Sequence, residues 1–294
     1  MSYRSGFVAI VGRPNVGKST LLNRLLGEKI SIVSDKPQTT RNRILGIHNS
    51  IDAQLVFFDT PGIHAGRGKL NRRMVQTALA SLSEVDLVLL LVDPLQLSGL
   101  VDRQITDHLQ KIKTPKILGV NKIDLVKRHR MIPMLDAYHK EDLYSEIIPL
   151  SALSGENTDR LLQLLRGYLP EGRPFFPEDL LTDQPIRYLA GEMIREKVVQ
   201  KTWEEVPYAS AVEIVLFKED PKSNLTAIDA TIYVEKPSQK GILIGRGGRM
   251  LQVIREGAQS DLERLLATRV RLALWVKVKR HWTGDPRFLK QMGY

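Results

Sequence analysis

The sequence lacks cysteine, and it lacks any long apolar run. Without cysteine there can be no disulfide bond and no Cys-ligated zinc or iron–sulfur centre. The longest purely apolar stretch, Leu87–Val92, is far shorter than the roughly 20 residues that a membrane-spanning helix needs. The first residues lack the apolar core that is typical of a signal peptide, so we expect no signal peptide. These absences fit a reducing compartment, and we expect a cytoplasmic location.

The remaining composition is that of a folded chain with a basic surplus. Hydrophobic residues make up 43% and charged residues 26% of the 294 positions, and this length exceeds one ordinary core. We therefore expect two domains. There are 43 Lys and Arg against 33 Asp and Glu, a formal net charge of +10. A basic surplus favours nucleic acid or anionic lipid as a partner, provided that it is concentrated at one place.

The first 170 residues alternate short apolar runs with longer amphipathic segments. This rhythm predicts a doubly wound parallel sheet whose strands are buried on both faces. The predicted strands are residues 7–11, 54–58, 86–92, 116–120 and 147–150.

A proline-rich stretch then interrupts the pattern. Residues 169–177 contain three prolines, which cannot continue a helix. We predict a first domain over 1–172, a linker over 173–178 and a second domain over 179–294 with a basic C-terminal tail. Within the second domain the periodicity predicts helices over 185–201 and 249–268 and strands over 212–217, 226–234 and 270–278.

The strongest motif follows the first predicted strand. Gly12-Arg-Pro-Asn-Val-Gly-Lys18-Ser19 fits the pattern G-x-x-x-x-G-K-[ST] and opens a helical segment. Its backbone N–H groups can surround phosphate oxygens, Lys18 can bridge the β- and γ-phosphates, and the Ser19 hydroxyl can bind Mg²⁺. An ordinary strand-to-helix turn would seldom carry all these flanking features. The motif predicts a phosphate-loop NTPase.

Two further segments fit the same site. Asp59-Thr-Pro-Gly62 closes the second predicted strand, where Asp59 can help to anchor Mg²⁺ and Gly62 can bring its N–H close to a γ-phosphate. Thr39 and Thr40 lie in a polar loop that can order when the γ-phosphate is present. Taken singly, the first is also a plausible tight turn and the second a plain polar loop.

Asn121-Lys-Ile-Asp124 follows the fourth predicted strand and favours guanine as the base. The Asp124 carboxylate can accept hydrogen bonds from both N1–H and the N2 amino group of guanine, whereas adenine has an acceptor at N1. Ser151-Ala152 follows the next strand and can offer a backbone N–H to the base carbonyl.

The second domain carries a different loop. Gly245-Arg-Gly-Gly248 has the form G-x-x-G, follows the strand-like run Ile242–Ile244 and precedes a helix. KH domains use such a loop to grip a single-stranded nucleic-acid backbone, although four residues alone also fit a turn. Residues 236–294 hold 13 basic against 4 acidic side chains, net +9, whereas residues 1–172 are net +6 and 173–235 net −5.

Near the C-terminus, one strand face interleaves basic side chains with an aromatic one. It carries Arg271, Trp275, Lys277 and Lys279, which can pair with phosphates and stack a base, although a merely solvated face is the alternative. The basic surplus is therefore densest around the G-x-x-G loop and this face.

In order and spacing, these motifs resemble the translation-factor class of small GTPases. Together with the second domain they resemble the Era family of bacterial GTPases over essentially the whole chain. The resemblance implies an α/β phosphate-loop GTPase domain with a doubly wound, mostly parallel sheet, followed by an α+β type II KH domain. It implies Mg²⁺-dependent GTP hydrolysis, binding near the 3′ end of small-subunit (16S-type) ribosomal RNA, and a role in 30S assembly and rRNA maturation. It also implies a monomer with peripheral contact with the inner membrane.

The resemblance assigns roles residue by residue. The residues expected to contact GTP or GDP are Gly12, Arg13, Pro14, Asn15, Val16, Gly17, Lys18, Ser19, Thr20, Asp59, Thr60, Pro61, Gly62, Ile63, Asn121, Lys122, Ile123, Asp124, Ser151 and Ala152. The catalytic set is Asn15, Lys18, Thr40 and Gly62, and the Mg²⁺ ligands are Ser19, Thr40 and Asp59. The RNA-binding set is Gly245, Arg246, Gly247, Gly248, Arg249, Arg271, Trp275, Lys277 and Lys279.

Ile63 occupies the position where Ras-like enzymes place a glutamine that orients the attacking water. An aliphatic side chain cannot make that hydrogen bond, so we expect slow basal turnover and stimulation by a partner or an ion. Asn15 resembles an asparagine that helps to hold K⁺ in related enzymes.

Three alternatives stay open. The chain can be a GTPase that regulates a different RNA or RNA-modification process through the same KH domain. It can be a GTPase for tRNA modification or membrane transport with an unrelated second domain. It can also be an RNA-binding module with a vestigial nucleotide site, although the intact Lys18, Ser19 and Asp59 argue against this.

Overall fold

The structure is a computed structural model of the chain, and it describes residues 2–37, 39–62, 69–96 and 100–294. Contacts divide it into two units, each with its own core. The first contains the described residues of 1–31, 40–67 and 71–183, and the second those of 32–39, 68–70 and 184–294. Ile63 lies outside the described residues.

The first unit is built on a six-stranded sheet. Its strands are β1 (Arg4–Gly12), β2 (Ile44–Ser50), β3 (Ala53–Asp59), β4 (Leu87–Val92), β5 (Lys116–Val120) and β6 (Glu146–Pro149). Their order is β2-β3-β1-β4-β5-β6, and every pair except β2–β3 is parallel. The doubly wound, mostly parallel sheet is confirmed.

Helices cover both faces of this sheet because its strands are apolar on both sides. They are α1 (Lys18–Leu26), α2 (Lys69–Ala80), α3 (Leu100–Gln110), α4 (Arg128–His139) and α5 (Thr158–Tyr168). In β4, Leu87, Leu89 and Leu91 pack with residues of α1 and α5. The alternate residues Val88 and Leu90 pack with residues of α2, α3 and α4.

Strand β2 was not predicted. Its sequence ends in His48, Asn49 and Ser50, which interrupt the apolar pattern on which the prediction relied. It pairs antiparallel with β3 from Ile44 opposite Asp59 to Ser50 opposite Ala53. Strand β3, which follows β2 after a tight turn, is thus its pairing partner.

The proline-rich stretch packs on the first unit. The buried Gln54 carboxamide accepts hydrogen bonds from the N–H groups of Phe175 (2.7 Å) and Phe176 (3.0 Å) and donates to the Phe176 carbonyl (2.9 Å). Further on, the Thr182 hydroxyl donates to the Leu45 carbonyl at 2.6 Å. Contacts therefore divide the chain after residue 183, beyond the linker expected at 173–178, because a buried amide on β3 supplies partners for this stretch.

The second unit has a three-stranded sheet with three of its helices packed on one face. Its elements are α6 (Ile186–Lys201), β7 (Ala211–Asp220), β8 (Leu225–Val234), α7 (Pro237–Ile244), α8 (Arg249–Leu266), β9 (Arg269–Val278) and α9 (Pro286–Gln291). Strand β8 lies in the centre, antiparallel to β7 and parallel to β9. Apolar residues of α6, α7 and α8 share one core with β8 and β9. This is the α+β arrangement that was predicted.

Two details of this unit differ from expectation. The run Ile242–Ile244 is not strand-like but forms the end of α7, which Pro237 and a capping interaction between Lys236 and Gln239 begin. An apolar run of three residues fits a helix as well as a strand. The expected C-terminal tail is folded: Trp282 is fully buried and donates to the Ala209 carbonyl at 3.0 Å.

Among the described residues, no helix combines the length and the apolar character needed to cross a membrane.

Candidate functional site

The predicted nucleotide motifs meet at one edge of the first sheet. Parallel strands β1, β3, β4, β5 and β6 end there, and ligands of open α/β sheets bind outside these carboxyl ends, where the chain order reverses. The four motifs begin at Gly12, Asp59, Asn121 and Ser151, each at the end of one of these strands or directly beyond it.

The phosphate loop requires glycine at both of its fixed positions. A Cβ on Gly12 would lie 2.3 Å from the Leu91 carbonyl oxygen, and one on Gly17 would lie 2.2 Å from Nδ2 of Asn121. Gly17 also has φ of 100° and precedes the first turn of α1, and Asn15 has φ of 64°. These left-handed residues curl the loop over the helix N-terminus, where backbone N–H groups and the helix dipole favour an anion.

The Lys18 ammonium is buried inside this loop. Its Nζ donates to the carbonyl oxygens of Gly12 (3.2 Å) and Arg13 (2.8 Å). Burial lowers the pKa of Lys18 to about 8, although nearby Asp59 acts to raise it. A buried cation inside a phosphate-binding loop is stabilised by an anion that binds there.

Ser19, Thr40 and Asp59, the three expected Mg²⁺ ligands, lie together. The Ser19 hydroxyl donates to Oδ2 of Asp59 at 2.6 Å and lies 2.9 Å from Oγ1 of Thr40. Ser31, which the sequence analysis missed, donates to the same Oδ2 at 2.7 Å and is fully buried. Nothing in its own sequence context distinguishes it from an ordinary loop serine.

The other oxygen of Asp59 supports a cation at this place. Oδ1 is buried and has no hydrogen-bond partner among the described residues. Burial raises the pKa of Asp59, against the lowering effects of Ser19, Lys18 and Ser31. A buried carboxylate oxygen without a partner, next to two hydroxyl groups, is the hard oxygen donor set that Mg²⁺ prefers.

The residues after Asp59 lie against the phosphate loop. The Thr60 hydroxyl donates to the Ile10 carbonyl at 2.8 Å, which fixes the end of β3 on β1. A Cβ on Gly62 would lie 2.6 Å from the backbone nitrogen of Pro14, so only glycine fits there. Gly62 therefore lies beside the phosphate loop.

Asn121 joins the base motif to the rest of the site. Its Nδ2 donates to the Val16 carbonyl at 2.7 Å, and its Oδ1 accepts from the Ala152 N–H at 2.8 Å. Asn121 is buried, and its two hydrogen bonds link the phosphate loop to the turn at Ser151. Arg24, not predicted, reinforces this turn by donating to the carbonyls of Ala152 and Leu153.

Asp124, three residues after Asn121, is exposed to solvent. The Ser151 hydroxyl donates to its Oδ1 at 2.6 Å and fixes its orientation. Lys122, with φ of 62°, forms an ion pair of 2.7 Å with the buried Asp93. Asp93 was missed, although its position directly after β4 is the same signal that identified Asp59.

The G-x-x-G loop connects α7 to α8 in the second unit. Gly245 (φ 71°) is required by packing, since a Cβ would lie 2.7 Å from that of Met250. Gly247 (φ 61°) and Gly248 (φ 79°) have open space where a Cβ would point, and Arg246 and Arg249 are exposed. The loop therefore offers accessible backbone between two exposed cations.

The predicted basic strand face does not lie with this loop. Val270, Leu272 and Val276 of β9 pack towards the helices, and strand alternation turns Arg271, Trp275 and Lys277 to the opposite face of the sheet. Trp275 is 48% exposed, while Lys279 lies 4.2 Å from the centre of the Phe288 ring. The predicted RNA-binding residues thus form two surfaces.

Comparisons with known proteins agree with both units. The family model described as "50S ribosome-binding GTPase" matches residues 7–122, and "KH domain" matches residues 205–283. The GTPase Era of Geobacter metallireducens is 52% identical over 292 residues, covering 99% of this chain and 98% of that protein. That of Alkaliphilus metalliredigens is 49% identical over the full length of both.

Two solved structures also match over 99% of both chains, each with 42% identity and a TM-score of 0.95. One is Era in complex with MgGDPNP and nucleotides 1506–1542 of 16S ribosomal RNA. The other is a variant of Aquifex aeolicus Era bound to GDP and AlF4⁻.

Proposed function

The chain belongs to the Era family of GTPases, and from this premise we propose that it is a GTP-hydrolysing switch that binds small-subunit ribosomal RNA near its 3′ end. In this role it assists assembly of the 30S subunit and maturation of its rRNA. One observation carries the catalytic part: Lys18, Ser19, Thr40 and Asp59 are held together at the mouth of an intact phosphate loop.

Each side chain of the nucleotide site has a task that follows from its geometry. Lys18 exchanges its bonds to the Gly12 and Arg13 carbonyls for phosphate oxygens, and Gly62 offers its backbone N–H to the γ-phosphate. Ser19, Thr40 and Asp59 would hold Mg²⁺, which when bound neutralises charge on the β- and γ-phosphates. Asp124 accepts from the guanine N1–H and N2 amino group, and the Ala152 N–H exchanges its bond to Oδ1 of Asn121 for one to the base carbonyl.

The RNA part rests on the KH match and on the complex of the related Era with 16S rRNA. The exposed loop Gly245–Gly248, with Arg246 and Arg249 beside it, can lie along a phosphate backbone. The Arg271, Trp275 and Lys277 face is the second proposed RNA surface. The competing function is regulation of a different RNA or RNA-modification process through the same domain.

The test compares wild-type protein with Lys18→Ala. We expect wild-type GTP turnover to require Mg²⁺ and to fall roughly 10³-fold in the variant, because the phosphate charge loses its fixed partner. Crosslinking to cellular RNA followed by sequencing should place the adducts near the 3′ end of the small-subunit rRNA. Adducts concentrated on another RNA would favour the competing function.

We also propose that a monovalent cation assists hydrolysis. Asn15 lies in the phosphate loop with φ of 64°, and its resemblance to a K⁺-holding asparagine supports this role. Such an ion would supply positive charge where no glutamine follows Gly62. Turnover in potassium and in sodium buffer at equal ionic strength tests it, and equal rates would discard the idea.

The remaining expectations rest on the family resemblance and, for the location, also on the lack of cysteine and of a signal peptide in the sequence. We propose that the protein is a cytoplasmic monomer with peripheral contact with the inner membrane. Light scattering during gel filtration tests the monomer, and co-sedimentation with anionic vesicles tests the membrane contact.

A further inference from the structure

A single carboxylate lies on the far face of the second unit's sheet, the face that also carries Arg271 and Trp275. It belongs to Asp229 in the central strand β8, whose residues on either side of Asp229 are buried among the helices. Strand alternation therefore turns Asp229 to the opposite face. There it pairs with Ala273 of β9, and so it lies between Arg271 and Trp275 along the neighbouring strand.

The protein leaves one oxygen of this carboxylate without a hydrogen bond. Oδ1 of Asp229 is buried, and it has no hydrogen-bond partner in the part of the chain that the structure describes. Nη2 of Arg271 lies 4.0 Å from it, which is beyond hydrogen-bonding distance. Native structures leave few buried polar atoms in this state, and each of them needs a physical reason.

Asp229 is also an unfavourable residue for its position. Aspartate is depleted in strands, and this one stands in the middle of the central strand. Its negative charge lies on the same face as Arg271 and Lys277, where it would repel the RNA phosphates that these cations attract. Residues that break local rules in this way concentrate at functional sites. A role in choosing which base binds would account for both costs.

The surroundings of Asp229 suit a flat ligand. Ala273, opposite it on β9, has only a methyl group, whereas the neighbouring Trp275 is 48% exposed. Leu216, which pairs with Asp229 from β7, is 39% exposed and borders the same place. The Arg271 side chain is 59% exposed, and side chains so exposed change rotamer within nanoseconds, so it can uncover Oδ1.

The edges of the four RNA bases differ in what they offer to a carboxylate. Guanine has two adjacent donors, N1–H and the N2 amino group, which match the two carboxylate oxygens. Adenine and cytosine each have one amino group next to an acceptor. Uracil has a single N–H between two carbonyl oxygens, which a carboxylate repels. An exposed indole such as that of Trp275 stacks any of these bases, so the carboxylate alone discriminates among them.

We propose that Asp229 selects an unpaired guanine in RNA that binds this face. The base stacks on Trp275 and donates its N1–H and N2 amino hydrogens to the Asp229 carboxylate, while Arg271 turns to an adjoining phosphate. This inference rests on the proposed RNA binding and names the base that the face takes. Charge complementarity selects RNA as the occupant, since residues 236–294 carry a net charge of +9. Asp229 thus lowers the general affinity for RNA and adds discrimination against uracil.

The experiment measures the affinities of two single-stranded RNAs, a uridine decamer and the same decamer with guanosine at a central position. For wild-type protein we expect the guanosine to strengthen binding about tenfold. Asp229→Asn keeps the shape of the side chain but cannot accept two hydrogen bonds from guanine, so this preference should fall about tenfold. Any preference of the G-x-x-G loop cancels, because the loop is the same in both proteins.

Glu219→Gln is the matched control, since it removes the same charge from an exposed carboxylate of β7 in the same unit. It should raise both affinities equally and leave the preference for guanosine unchanged. If Asp229→Asn also keeps the wild-type preference, the carboxylate acts only through its charge and the inference is wrong.

A second variant tests whether Trp275 and Asp229 act on one base. Trp275→Leu should weaken the preference for guanosine as much as Asp229→Asn does, and the double variant should lose no more, because both residues bind the same base. Losses that add up in the double variant would place the two residues at separate contacts and overturn the inference. Wild-type protein that binds neither decamer at low salt would instead overturn the proposed RNA binding.

Discussion

The nucleotide site and the G-x-x-G loop, both proposed to bind phosphate, are built in opposite ways. In the first, Lys18, Asp59 and Asn121 are buried and hydrogen-bonded to neighbouring loops. In the second, Arg246 and Gly247 are exposed, and no atom lies within 4 Å of a Cβ placed on Gly247.

This difference follows from the two ligands. A nucleotide with Mg²⁺ needs donors fixed before it arrives, since preorganised dipoles lose no energy by rearranging. A single strand of RNA brings a flexible charged backbone, and accessible N–H groups with nearby cations suffice to hold it. Substitutions in the nucleotide site should therefore change which nucleotide binds. Substitutions at the loop should change RNA affinity according to the charge that they add or remove.

The largest effect is expected at Asp124. In Asp124→Asn the amide presents a donor to the N2 amino group of guanine, and GTP affinity should fall by about 10⁴. Xanthine carries a carbonyl at that position, so binding of XTP should be gained. Competition with a fluorescent nucleotide measures both, and Asp136→Asn on α4 is the control. GTP affinity within tenfold of wild type would show that Asp124 does not read the base.

RNA affinity should depend on the charge at the G-x-x-G loop. Arg246→Asp with Gly247→Asp places carboxylates against RNA phosphate, and we expect affinity for single-stranded RNA to fall about 100-fold. The control, Arg246→Asn with Gly247→Asn, has the same shape without the negative charge, and asparagine also tolerates the φ of 61° at position 247. GTP turnover without RNA should be unchanged. RNA affinity that survives the Asp pair would show that this loop does not hold the RNA backbone.

A pH effect of about tenfold per unit is expected for nucleotide binding. Burial lowers the pKa of Lys18 to about 8, and bound phosphate raises it again. Above that pH, binding must take up a proton, so affinity should decline between about pH 8 and pH 9 and stay level below. Without nucleotide the sign for stability is opposite: the unfolded chain binds more protons between pH 8 and 10.5, so the contribution of Lys18 becomes more favourable as pH rises.

Lys18→Met supplies the comparison for this pH series. Its nucleotide affinity should be weaker at every pH and should lack the decline above pH 8. An identical decline in the variant would assign the titration to another group.

The smallest effect is expected on the far face of the second sheet. Lys277→Ala should weaken RNA binding only a few-fold and reduce the slope of log affinity against log salt by about 0.7. Lys222→Ala, an exposed lysine in the turn between β7 and β8, is the control. An unchanged slope would leave the G-x-x-G loop as the RNA surface and remove the β9 face from it.

The success of sequence reasoning was uneven for physical reasons. Strands such as β4 and β5 were predicted because a strand buried on both faces must be apolar throughout. Ser31 was missed because its role depends on Asp59, a partner far along the chain, whereas Asp93 has a local signal in its position directly after β4. The packing of residues 173–183 includes bonds to the buried Gln54 amide and to the Leu45 carbonyl, partners that no local pattern reveals.

By itself the sequence determined the identity and order of the motifs, the periodicity of their elements and the basic surplus after residue 236. These are local properties, since a phosphate loop is specified by consecutive residues and a strand by its alternation. Only the tertiary structure decided that Asn121 brackets the phosphate loop and that the G-x-x-G loop and Trp275 lie on different layers of one unit. It alone brought the Gln54 amide to the backbone of Phe175 and Phe176. Such pairings join residues more than a hundred positions apart, and only the folded chain brings them within hydrogen-bond distance.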